Sequence, residues 1–145
     1  MNVKSTPSLI RLFERSNYRT CFCCVLNARS VVNKICELQQ LLYNTSYDIV
    51  LVTETWLHDG ISSGALDPRS VYNIIRKDRE GSHHGGGVAV FVKRSLCIAE
   101  VAIDDLYTNL ELLCFDVFIE QCSLRFFVVY RPPHTILKPL ITWIC

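Results

Sequence analysis

The sequence has no run of about 18 consecutive apolar residues, the length a helix needs to cross a bilayer. Its first residues, Met1-Asn2-Val3-Lys4-Ser5-Thr6-Pro7, are polar and hold no apolar core of a secretory leader. The net charge is only +1, so no global field draws the chain to nucleic acid or to a membrane surface, and a polyanion would have to meet a local patch. Internal repeats and low-complexity segments are missing too. The 8 cysteines form no evident disulfide framework, and most sit in apolar runs such as Cys21-Phe22-Cys23-Cys24-Val25-Leu26, where a thiol acts as a small hydrophobe. With the polar start, they are expected to be reduced thiols of an intracellular protein that is not secreted. Cys21-x-x-Cys24 has the spacing of a metal or redox pair, but no second Cys or His pair follows it.

What is present suits one globular domain. The chain has 145 residues, 50% of them apolar and 20% charged. A chain of that size buries roughly two-thirds of its unfolded surface. Residues 1–18 read as a short helix or a tail, 19–135 as the domain, and 136–145 as a second tail.

The organising stretch is Asp48-Ile49-Val50-Leu51-Val52-Thr53-Glu54-Thr55-Trp56-Leu57. Its apolar, β-favouring run predicts a strand buried on both faces, and the run stops at an acid. A carboxylate at the carboxyl end of a buried strand lies where open α/β sheets bind ligands; otherwise Glu54 is a solvated loop acid. Upstream, residues 20–26 predict another buried strand, and Ser30 is a candidate N-cap for a helix over 31–42, whose apolar positions recur on one face. Strand, helix and strand at this spacing form a βαβ unit with parallel strands. Neighbouring strands lie about 4.8 Å apart, so Asn27 and Glu54, both at carboxyl ends, can share one small volume.

Beyond this unit, 72–75 and 88–92 predict a strand pair joined by a charged, Gly-rich loop, and 96–103, 110–119 and 123–130 predict three further strands.

Four pieces then stand in order: Leu26-Asn27-Ala28-Arg29-Ser30, Thr53-Glu54-Thr55-Trp56-Leu57, Gly85-Gly86-Gly87-Val88-Ala89-Val90-Phe91-Val92 and Val129-Tyr130-Arg131-Pro132-Pro133. With Tyr72-Asn73-Ile74-Ile75-Arg76-Lys77-Asp78-Arg79, the set resembles the endonuclease/exonuclease/phosphatase superfamily over about residues 20–133. It is most similar to the endonuclease domain of LINE-type, non-LTR retrotransposon polyproteins. The resemblance implies an α/β fold in which a partial β-sandwich is flanked by helices. It also implies hydrolysis of phosphodiesters in DNA with Mg²⁺ or Mn²⁺, and no membrane partner. On this reading Glu54 is the metal ligand. Asn27 orients the catalytic groups, and Tyr130 donates to a phosphate oxygen, the three forming the catalytic set. Arg76, Arg79, His84 and Arg131 are candidate nucleic-acid contacts.

Each residue has a plainer alternative. Asn27 could simply turn the chain, Tyr130 could be a half-buried amphipathic residue, and the Gly triplet could serve hairpin flexibility rather than approach of a nucleic-acid backbone. The basic residues, offset by Asp78 and Glu80, could be solvated; His83 and His84 could be merely exposed; and Trp56 either walls the site or packs beneath it. The family's later Gly-Asp-x-Asn and Ser-Asp-His segments do not occur in this sequence. The expectation is therefore an N-terminal half with weak metal binding and no turnover by itself. The alternatives are a non-catalytic remnant that binds nucleic acid or a protein partner, and a phosphatase of the same fold.

Overall fold

The structure, a computed structural model, describes residues 8–12, 20–81, 85–104, 107, 110–119 and 122–131. The organising stretch forms strand β3, Ile49–Thr53, at the centre of a five-stranded sheet. Its Ile49, Val50 and Val52 are fully buried because both sheet faces are covered. Strand β2, Cys21–Asn27, runs parallel to it on one side, with Asn27 beside Thr53. Strands β4, Tyr72–Lys77, and β5, Val88–Lys93, form an antiparallel pair on the other side, and β5 lies against β3. Residues 8–12, expected within a short helix or tail, instead form β1, Ser8–Leu12, antiparallel to the outer edge of β2.

The crossover from β2 to β3 differs from expectation in its first turn. Ser30 has φ of 82° and does not cap the helix; a 3₁₀ turn, Val32–Lys34, leads into helix α1, Ile35–Asn44. Among the described residues no side chain caps either helix start, and Lys34 instead ties down the preceding loop, its ammonium donating to the Ala28 carbonyl at 2.8 Å and the Arg29 carbonyl at 3.1 Å. Leu38 and Leu42 of α1 bury against Val50, Val52 and Phe91 on one face of the sheet, next to Leu66 of the short helix α2, Ser63–Leu66.

On the other face, Ile49, Leu51, Val88, Val90 and Val92 meet a second, antiparallel sheet of three strands. These are β6, Cys97–Glu100, β7, Glu111–Ile119, and β8, Cys122–Tyr130. Alternation sends Leu113, Phe115 and Val117 of β7 inward, where Phe115 stacks on Phe126 with ring centres 5.2 Å apart. Two packed sheets with helices on one outer face make an α/β partial sandwich, the expected class. The outer face of β7–β8 leaves Phe127 and Val129 more than half exposed.

The same alternation decides the cysteine spacing. Cys21 and Cys23 face the second sheet, whereas Cys24 faces the helix side, so Cys21 and Cys24 cannot converge on one ion. The described cysteines are all free thiols. Among the described residues, no helix is long and apolar enough to cross a membrane.

The starts of the strands are pinned at the sheet edge away from Asn27 and Glu54. Buried Asp48 accepts from the Phe22 amide at 3.0 Å and from the Lys93 ammonium at 3.2 Å, tying β2, β3 and β5 together.

Candidate functional site

Because β2 and β3 are parallel neighbours, their carboxyl ends open on one edge. The start of β5 lies beside the end of β3, Thr53 opposite Val88. In the second sheet Glu111, at the start of β7, stands opposite Tyr130, at the end of β8. Chain segments from both sheets thus meet at this edge.

The segment after β3 is held in a costly shape. Glu54 and Trp56 have φ of 53° and 57°, a left-handed conformation that costs an ordinary residue about 1–2 kcal/mol. Backbone hydrogen bonds from both flanks fix it. On the β2 side, the Ser30 amide donates to the Glu54 carbonyl at 2.8 Å and the Val31 amide to the Thr55 carbonyl at 2.7 Å. On the β5 side, the Thr55 amide donates to the Gly87 carbonyl at 3.2 Å and the Trp56 amide to the Gly86 carbonyl at 2.9 Å. Strain that its surroundings hold in place is common at functional sites, and here it aims one carboxylate.

Asn27 Nδ2 donates to Glu54 Oε1 at 2.9 Å, while Asn27 Oδ1 accepts from the Arg29 amide at 3.2 Å. The amide is therefore engaged at both ends, and its orientation follows from the backbone donor that its oxygen must meet. Tyr130 stands near enough to the same Glu54 carboxylate to feel its charge. Burial of the phenol, then the charge of Glu54, push the Tyr130 pKa up, against the opposing pull of Arg79. Tyr130 thus stays a hydroxyl donor at neutral pH. Asn27, Glu54 and Tyr130, far apart in the chain, are brought together.

The basic residues are placed differently from a solvated turn. Arg76 is paired with Asp78, and it also donates to the Ile61 carbonyl at 2.6 Å and the His58 carbonyl at 2.8 Å. It clamps the loop that follows Trp56. Arg76→Met should speed limited proteolysis within residues 58–61 while leaving cleavage elsewhere unchanged; equal rates in both proteins would show that the clamp is idle. Arg79 donates through Nε to Glu111 Oε1 at 2.5 Å and stands over the Tyr130 ring, 5.9 Å from its centre. Arg131 is exposed just past β8. His83 and His84 lie outside the described residues, as do Pro132 and Pro133. Trp56 is half-buried.

Glu111 escaped the reading of the sequence. It is 8% exposed, and its second oxygen accepts from the Gly87 amide at 2.5 Å. A signal was available: Leu113, Phe115, Val117 and Ile119 alternate inward, which puts Glu111 on the same inward face. An acid in phase with a buried stripe needs a partner, and Arg79 supplies it.

For a hard divalent ion, the donor set fits in a limited way. Glu111 is committed to Arg79 and Gly87, which leaves Glu54 as the carboxylate of the Asn27–Tyr130 cluster. Among the described residues, no three His, Cys, Asp or Glu side chains are grouped for a metal. One carboxylate suits an ion that keeps most of its water and takes further oxygens from a substrate phosphate.

The two-sheet α/β architecture is a fold of the nuclease and phosphatase hydrolase type. The chain belongs to the Endonuclease/Exonuclease/phosphatase family, whose model matches residues 23–140. Members of this family generally depend on divalent metal. A search of curated proteins found no match.

Proposed function

We propose that this chain carries part of a DNA endonuclease site, one that hydrolyses phosphodiesters with Mg²⁺ or Mn²⁺ and is of the LINE-type retrotransposon kind. The observation that carries the reading is the strained Glu54 carboxylate, held by the Asn27 amide at the strand ends with Tyr130 close by. Glu54 holds the ion, which when bound offsets charge on the phosphoryl oxygens. Asn27 keeps the carboxylate aimed, and Tyr130, kept protonated, has a hydroxyl to offer to a phosphate oxygen. The wording Glu54-Thr55-Trp56-Leu57 and Tyr130-Arg131-Pro132-Pro133 favours the retrotransposon endonucleases over a phosphatase of the same fold. No Gly-Asp-x-Asn or Ser-Asp-His segment is present to activate water, so these 145 residues bind but do not turn over.

Titration with Mn²⁺ followed by electron paramagnetic resonance tests this reading. Binding is expected in the millimolar range, tightened by a short DNA duplex and weakened at least about tenfold by Glu54→Gln. Equal Mn²⁺ affinity in the wild-type and Glu54→Gln proteins would sink the assignment. Plasmid nicking that disappears in Glu54→Gln would show that the chain completes the reaction unaided.

A further inference from the structure

We infer that Arg79 and Glu111 are positioning residues for this site: their ion pair locks the second sheet onto the Gly86-Gly87 turn, holding Tyr130 and Glu54 in register. The inference rests on the proposed function for its meaning, but its geometry stands independently.

Glu111 uses both oxygens, one on Arg79 Nε and one on the Gly87 amide. Gly87 and the preceding Gly86 in turn receive the Thr55 and Trp56 amides, which flank the strained Glu54. On the other arm, Arg79 lies over the ring of Tyr130, the residue opposite Glu111 in the β7–β8 pairing. A continuous chain of contacts therefore runs from the ring of Tyr130 through Arg79, Glu111, Gly87 and Thr55 to the segment that carries Glu54.

The fit around Arg79 is close. A Cβ on Gly86 would stand 2.3 Å from Arg79 Nη2 and 2.4 Å from Cζ. The guanidinium cannot swing aside without leaving Glu111, a buried carboxylate paired with it. A planar fork carrying a fixed charge suits this task, whereas a flexible ammonium does not. The Tyr130 ring therefore sits between Arg79 and the strand pair that begins at Glu111, and its packing depends on the ion pair.

The test uses the whole chain without metal or DNA, so its failure is separate from failure of the endonuclease reading. Amide hydrogen exchange is measured at Thr55, Trp56 and Gly87, and the Tyr130 ring signals are read by ¹³C NMR at neutral pH, with Tyr130→Phe assigning them. Glu111→Gln should raise exchange at these three amides by about tenfold and leave Phe115 and Val117 protected. Arg79→Gln should shift the Tyr130 ring signals, because the guanidinium no longer lies over the ring, and Arg79→Lys should restore them only in part. Unchanged exchange in Glu111→Gln, Tyr130 ring signals that ignore Arg79→Gln, or equal loss of protection throughout β7 would each overturn the inference.

Discussion

Gly87→Ala is expected to destabilise the protein by roughly 2–4 kcal/mol, seen as a lower urea midpoint with an unchanged slope. Gly87 has φ of 82°, a backbone that strains any L-residue by about 1–2 kcal/mol. A Cβ there would also stand 2.4 Å from Thr55 Oγ1. Thr55 is completely buried, and its branched side chain is close to the Leu57 amide at 3.4 Å, so it has nowhere to retreat. Overpacking of this kind adds about 1–3 kcal/mol. Truncating the neighbour separates the two effects: against a Thr55→Ala background, Gly87→Ala should cost only the backbone part. A loss below about 0.5 kcal/mol in the single variant would mean that the turn relaxes freely, and the account of Gly87 would fail.

The glycine triplet shows where one-dimensional reading stops. Three consecutive glycines before a strand mark a place where side chains are excluded, and the sequence makes that plain. What excludes them is a neighbour in space: Thr55 at Gly87 and Arg79 at Gly86. The β2–α1–β3 unit was legible because a helix period between two apolar runs leaves one right-handed parallel solution, and the Asn27–Glu54 meeting follows from it. Strand β1 was not legible. Its short segment owes its strand state to pairing with β2, and such context overrides local preference. Arg76 and Arg79 read as a solvated turn because Asp78 and Glu80 stand beside them in sequence. Arg76 does pair with Asp78, but Arg79 reaches across to Glu111, a partner 32 positions away. Charge counting along the chain cannot see a buried carboxylate on another sheet.

Alkaline unfolding should be steep, and Tyr72 should be one of its causes, beside the buried thiols of Cys23 and Cys24, which burial and neighbouring groups also push up. This phenol is 2% exposed, its ring edge-on to Phe91 at 6.5 Å, and its hydroxyl lies 2.9 Å from the Leu42 carbonyl and 3.1 Å from the Tyr47 carbonyl. Burial first, then the nearby charges of Asp48 and Asp67, push its pKa from the ordinary value of 10.0 up to about 12. The folded state therefore holds a proton that the unfolded chain releases between pH 10 and 12. In that window the folded protein binds more protons than the unfolded one, so stability falls as pH rises. Each pH unit is worth about 1.4 kcal/mol per proton, so about 2–3 kcal/mol should be lost across the window. Below pH 10 this group contributes no slope. Tyr72→Phe removes the titrating group together with a buried hydrogen bond, and should cost about 1 kcal/mol at neutral pH. Above pH 10 the variant's stability should fall less steeply than that of the wild type, so the two curves cross within the window and the variant is the more stable near pH 12. Urea melts taken at intervals across that range give both curves. Parallel curves would remove Tyr72 as a cause and leave the alkaline loss to the buried thiols.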